Sequence, residues 1–155
     1  MLNRFQPKQK LTFTALQHPV EIIRDTWGVP HIYAQTEADL FFTQGFVHAQ
    51  DRLFQMDLNR RVGSGRLSEI IGPKGVATDR FARVMGWTRA AQNHVRGGDE
   101  AALSMVNAYC AGINAFINSG NIPSEFRLLF YKPEPWQIHH SAAWGIVLAW
   151  GLSAN

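Results

Sequence analysis

Cysteine occurs once in the 155 residues, at position 110. A lone thiol excludes an intrachain disulfide and a thiolate metal cluster built from this chain. Long hydrophobic runs are also missing. Nothing reaches the roughly 18 uninterrupted apolar residues of a spanning helix, and the N-terminal MLNRFQPKQKLTF is basic without an apolar run of signal-peptide length. Charge of one sign is scarce as well. The net charge of +3 is scattered apart from Arg60, Arg61 and Arg66, which is not the basic stripe of a nucleic-acid reader. No GxSxG elbow, SxxK pair, HExxH helix or phosphate loop is present. Several familiar routes to catalysis are therefore closed.

What is there is apolar material, 46% of the residues, with five tryptophans. This is enough for a core in one unit spanning residues 1–155. The closing WGIVLAWGLSAN is still strongly apolar, so the unit is expected to be incomplete alone and part of a larger fold, either one subunit of a tight hetero-complex or a processed fragment.

Periodicity predicts an α+β chain, with strands confined to residues 17–34 and residues 36–155 mostly helical. Val20, Ile22 and Ile23 and then Val29, His31, Ile32 and Tyr33 read as two short strands, with DTWG as the turn between them. Thr36 opens the longest helix, with Asp39 three residues on. Phe42, Phe46, Ala49, Leu53 and Met56 form one stripe, and Leu40, Val47, Phe54 and Leu58 a second edge. Together they predict a largely buried helix of about 25 residues, stopping at Gly63. A short LSEII helix follows, residues 79–86 are helical or irregular, and Asp99 caps a helix striped by Leu103, Val106, Cys110, Ile113 and Ile117. Residues 122–136, with three prolines, read as loop and short turns. A last helix begins near 139–141 and runs on Trp144, Val147, Leu148 and Leu152.

The polar residues inside GVPHIYAQTEADLFFTQGFVHAQDRLFQMD raise the question of chemistry. His48 and Asp51, three apart on a helix, share a face opposite the Phe42 stripe, where Asp51 could orient His48 as a base. A metal would need at least one further ligand, with His31 the candidate. The alternative is polar packing against a partner, and for His31 a hydrogen-bonded place at the strand end. Asp51 with Arg52, Asp57 with Arg60 and Arg61, and Arg66 with Glu69 offer ion pairs at helical spacing. The three arginines could instead bind an anion. Cys110 lies on an apolar stripe and reads as a core thiol; Trp136 and Trp144 read as core.

Beyond these patterns, GVPHIYA, then DLFFTQGFVHAQDRLFQMDLNRR, GRLSEIIG, YCAGINAFI, IPSEFRLLFYKPEPW and LAWGLSAN stand in one order. In that order they resemble the N-terminal part of the penicillin acylase family of N-terminal-nucleophile hydrolases. The resemblance covers roughly residues 21–155. It implies a small α subunit within a four-layer αββα fold that a separate β chain completes. Family members arise from one self-cleaving precursor, whose cleavage exposes a serine at the start of the β chain. That serine is the nucleophile and its own α-amino group the base. By this resemblance, the present chain carries no catalytic residue and closes one side of the acyl pocket through residues 149–155, with Leu152 and Ser153 facing substrate. Ser153 stands where the penicillin G acylases have a pocket methionine.

His31, His48, Asp51, Arg52, Asp57 and Arg61 become structural or interface residues in this reading. No cofactor is expected in this chain; calcium is common in the family, but no position here is expected to bind it. The implied partners are the β chain and a small N-acyl substrate such as a penicillin or an acyl-homoserine lactone, with no nucleic acid or membrane. The implied location is periplasmic or secreted, against which the missing signal-like run stands for the cytoplasm. Two other readings stay open: a non-catalytic helical interaction subunit, and a metal-dependent enzyme using His31, His48 and Asp51.

Overall fold

A computed structural model describes residues 10–153 of the chain. Two antiparallel strands open it, β1 (Glu21–Arg24) and β2 (Pro30–Tyr33), with Ile22 opposite Ile32 and Ile23 opposite His31. The side chains of adjacent strand residues point to opposite faces. One face, with Ile22 and Ile32, is half-buried, while Ile23, His31 and Tyr33 stay exposed. The predicted DTWG turn closes the hairpin. Asp25 Oδ1 accepts the amides of Trp27 and Val29 at 2.8 and 2.9 Å, the local side-chain bonding that makes Asp a turn residue.

Among the described residues seven α-helices follow: α1 (Glu37–Ser64), α2 (Ser68–Ile71), α3 (Val76–Met85), α4 (Trp87–Arg96), α5 (Glu100–Asn118), α6 (Ser124–Leu128) and α7 (Ile138–Ser153). A 3₁₀ turn, Gly72–Gly75, links α2 to α3. The caps are those read from sequence. Thr36 Oγ1 accepts the amide of Asp39 at 3.1 Å, and Asp99 Oδ1 that of Ala102 at 3.0 Å, satisfying helix-end donors that would otherwise lack partners.

Some sequence expectations need correction. Of the two options for residues 79–86 the helical one holds, as part of α3, but a short helix, α6, interrupts the proline-rich segment read as loop and short turns. Leu40, assigned to an apolar edge, is exposed, and the α5 stripe is fully buried only at Cys110 and Ile113, with Phe116 beside them. The long helix also departs from helical geometry at Arg52, where φ is −142° and ψ 21°. Arg52 Nη1 donates to the Asp51 carbonyl at 3.3 Å. A side-chain donor at a ladder carbonyl is one of the recognised causes of a kink.

The chain divides into two compact units: Met1–Leu53 with Ala108–Pro135, and Phe54–Asn107 with Trp136–Asn155. In the first, Phe42, Phe46, Val47, Ala49 and Leu53 of α1 are buried together with Cys110, Ile113 and Phe116 of α5 and with Phe126. Rings meet at Phe13–Phe42, Phe13–Phe46 and Phe46–Phe116, 5.0 to 5.6 Å between centroids. Each large apolar side chain fully buried contributes about 1.5–3 kcal/mol, so this stripe dominates the unit's stability. The backbones here approach unusually closely. A Cβ at Gly112 would stand 1.8 Å from the Phe42 carbonyl oxygen, and one at Gly45 would stand 2.0 Å from that of Tyr109. Only glycine fits at either position. In the second unit, α4 packs along α7, with Ala82, Trp87, Ala91, Trp136 and Ala143 buried.

Candidate functional site

Three clusters contain the polar residues singled out in the sequence. The first joins the hairpin to α1. Arg24 grips Asp51 with both terminal nitrogens, Nη1 to Oδ2 at 2.9 Å and Nη2 to Oδ1 at 2.8 Å, and reaches Gln50 Oε1 and the Gly28 carbonyl. This bidentate grip is the strong form of an arginine–carboxylate pair. Asp51 therefore does not orient His48, nor is its carboxylate engaged by Arg52, and both of those pairings are corrected. The pull came from β1, a strand that helical spacing cannot see.

His48 instead lies with Nδ1 3.0 Å from the Tyr109 hydroxyl, its ring edge-on to the tyrosine at 5.7 Å. Partial burial lowers the His48 pKa against the opposing pull of the Asp51 charge, which favours the neutral ring at neutral pH. Burial pushes Tyr109 up to about 12, so its hydroxyl keeps its proton. His31, on the exposed face of β2, has Nε2 3.3 Å from Asp25 Oδ2. His31, His48 and Asp51 are thus each engaged with protein groups. Among the described residues, no three His, Cys, Asp or Glu side chains form a set that could hold a metal. The arrangement of a metal-dependent enzyme built on this trio is not present.

The second cluster lies at the end of α1. Asp57 accepts from Arg60 through Oδ1 and from Arg61 through Oδ2, and all three side chains are buried. Arg61 continues to Glu69, which also takes two bonds of 2.8 Å from Arg66. The Arg66 and Arg61 bonds hold the Glu69 carboxyl below its ordinary range. Arg60 also lies over the Trp136 ring at 5.2 Å, a cation–π contact. All three arginines of the proposed anion site are thus bound to carboxylates of the chain, so the salt-bridged reading holds. Removing one partner from a buried pair leaves an uncompensated charge, a cost of about 3–5 kcal/mol.

Two buried aspartates were missed or undervalued from sequence. Asp39 accepts the amides of Gln17 and His18 at 2.8 and 3.2 Å, tying the segment before β1 to the start of α1. Asp79 on α3 accepts Leu67 N at 2.6 Å, Ser68 N at 2.8 Å and the Ser68 hydroxyl. It caps α2 from another helix, so no local pattern signals it. Burial alone would raise the Asp79 carboxyl, but these donors and the nearby Arg83 charge prevail and lower it. For Asp39 the Gln17 amide leads the lowering.

The third cluster is the end of α7. Trp150 stacks with Phe81 at 5.3 Å and Trp87 at 5.7 Å, and those two rings meet at 5.6 Å. Beyond this aromatic cluster, Leu148 and Leu152 project into solvent, Leu152 with 82% of its surface exposed. The Ser153 hydroxyl donates to the Trp150 carbonyl at 3.0 Å. The helix end thus presents an unpaired apolar edge held on a stacked base. Its aromatic partners, Phe81 and Trp87, lie on helices far away in sequence and were not foreseen.

Comparison with known proteins agrees with this architecture. The sequence profile of the family described as Penicillin amidase matches residues 19–155. The chain is 44% identical over 134 residues to the penicillin acylase 2 proenzyme of Pseudomonas sp. strain SE83, covering 86% of this chain and 17% of that protein. It is 34% identical over 124 residues to penicillin G acylase of Escherichia coli, covering 76% and 15%. It is also 34% identical over 142 residues to the acyl-homoserine lactone acylase QuiP of Pseudomonas aeruginosa, covering 90% and 17%. The chain thus spans about one-sixth of the length of these relatives. The solved thermostable penicillin G acylase from Alcaligenes faecalis superposes with a TM-score of 0.78 at 28% identity, over 88% of this chain and 75% of that one. The two N-terminal strands followed by helices are the fold of an α-subunit-like domain. This chain belongs to the penicillin amidase family.

Proposed function

We propose that this chain is the small α-type subunit of an N-acyl amide hydrolase, incomplete until a larger β chain from the same precursor packs onto it. The carrying observation is its kinship, over 86% of its length, with an acylase of which the matched segment spans only 17%. The apolar edge left open at the end of α7 supports the same reading. In this reading the serine at the start of the β chain attacks the acyl carbonyl. Its own α-amino group, with an unperturbed pKa near 8, takes the hydroxyl proton and returns it to the leaving amine. Fixed donors of the β chain stabilise the oxyanion, and water then releases the acyl group.

The present chain contributes shape rather than chemistry. Leu152 and Ser153, at the last turn of α7, line one side of the acyl pocket. His31, His48, Asp51, Arg52, Asp57 and Arg61 maintain the framework. The substrate class is N-acyl compounds of the penicillin or acyl-homoserine lactone type, and the location is periplasmic or secreted. Among the described residues, no helix is long and apolar enough to cross a membrane.

The test is release of acyl groups from phenylacetyl, short-chain and long-chain amides by the processed complex, before and after Ser153→Met. A pocket wall predicts a change in relative kcat/KM among acyl groups of about 10-fold, the scale of a methylene or two in an apolar pocket. An unchanged profile would remove Ser153 from the pocket.

A further inference from the structure

Among the described residues, Phe130 is the one non-glycine with a positive φ, 56°. A left-handed backbone is costly for an aromatic residue and nearly free for glycine or asparagine. That φ closes a capping turn after α6, with the Phe130 amide bonded to Arg127 O and the Tyr131 amide to Phe126 O, so the backbone is accounted for. Yet the Phe130 ring is 96% exposed and Leu128 nearby 74%. Among the described residues the ring itself therefore buries almost nothing.

The segment is also firmly held. Leu129 N donates to Glu125 O at 3.0 Å, Phe130 N to Arg127 O at 3.2 Å and Tyr131 N to Phe126 O at 3.0 Å. The Tyr131 ring packs on fully buried Phe126 at 5.0 Å. An aromatic projected from a pinned turn is the form of a pre-organised interface anchor, since little freedom remains to be lost on binding.

We propose that Phe130, flanked by Leu128 and Leu129, is an anchor that inserts into an apolar pocket of the large partner chain. This rests on the two-chain reading above and adds the residue and face that hold the chains together. The occupant follows from length. About five-sixths of each matched acylase lies outside the aligned segment, and under the two-chain reading that remainder supplies the partner. The charges nearby, Glu125, Arg127, Lys132 and Glu134, are of both signs and do not suit an anionic membrane surface.

The test uses the processed two-chain complex, with Phe130→Gly, Phe130→Asn and Phe130→Tyr compared with the parent. Glycine and asparagine relieve the backbone while deleting the anchor, so the sign of the effect decides. Insertion predicts that both raise the concentration at which the chains separate, read by sedimentation at fixed sub-denaturing urea, about 10-fold or more. Phe130→Tyr should stay within about threefold. Unchanged or tighter association in both would overturn the proposal, because only strain would have been removed. Phe130→benzoylphenylalanine supplies a readout that does not depend on stability. On irradiation it should attach to the large chain, whereas attachment to a second copy of this chain, to added vesicles or to nothing overturns the proposal. A parent precursor that yields no second chain overturns the two-chain reading as well. A processed parent complex indifferent to Phe130 overturns only the anchor.

Discussion

Arg24 and Asp51 lie 27 residues apart and are joined by two hydrogen bonds of 2.9 and 2.8 Å. That grip takes the carboxylate away from His48, three residues before it, and turns an apparent acid–base pair into a strut between the hairpin and α1. His48→Ala in the processed complex is accordingly expected to keep kcat/KM within about threefold of the parent, the scale of a peripheral change rather than the 10²–10⁴-fold contribution of an acid–base group. A loss of a hundredfold or more in a correctly processed complex would restore His48 to the chemistry.

Gly112 offers a more severe test of the core. Its place beside the Phe42 carbonyl leaves no room for a methyl group. Gly112→Ala should therefore destabilise by at least the 1–3 kcal/mol of ordinary overpacking. Chemical denaturation of the processed complex measures this, and loss of soluble, processed protein is the extreme form of the same outcome. A variant as stable as the parent would mean that α1 and α5 do not approach as described.

Asp57 should behave unlike an exposed carboxylate. Asp57→Ala strips the partner from both Arg60 and Arg61, which are buried with it, and is expected to cost about 3–5 kcal/mol. Arg66→Ala removes only an outer pair to Glu69 and should cost about 1 kcal/mol or less. Equal costs in urea titrations of the two variants would contradict the burial of the inner pair.

The pH dependence follows from carboxyls held below their ordinary values, among them Asp39, Asp79 and Glu69. Between the lowered native pKa and the ordinary one, the unfolded chain binds more protons, so stability falls as pH falls. The contribution is fully present above the ordinary values of 3.8 for Asp and 4.5 for Glu, and disappears as pH drops through the lowered native values. Urea midpoints of the complex between pH 7 and pH 3 should decline at the acid end. Asp79→Asn should be less stable at pH 7 and show a shallower decline. An unchanged slope would mean that Asp79 does not take part.

What could be read in advance was whatever is local. The strands, the DTWG turn, the Thr36 and Asp99 caps and the Phe42–Leu53 stripe all depend on residues a few positions apart, where periodicity and hydrogen-bonding rules operate. Asp79 capping α2, Arg24 claiming Asp51, and Phe81 and Trp87 stacking on Trp150 depend on contacts across elements, and no spacing rule reaches them. Gly45 and Gly112 left a trace, a glycine inside each of two strongly periodic helices. Such a glycine costs about 1 kcal/mol against alanine and so points to a close approach. The open end of α7 was legible as an apolar terminus.

The central claim is that the chemistry belongs to a serine outside this chain, and mass analysis with N-terminal sequencing of the expressed full-length precursor tests it most directly. The account predicts two fragments, this chain and a larger one beginning with serine, with both cleavage and acyl release lost when that serine becomes alanine. An uncleaved precursor, or a larger fragment beginning with a residue that has no nucleophilic side chain, would contradict it.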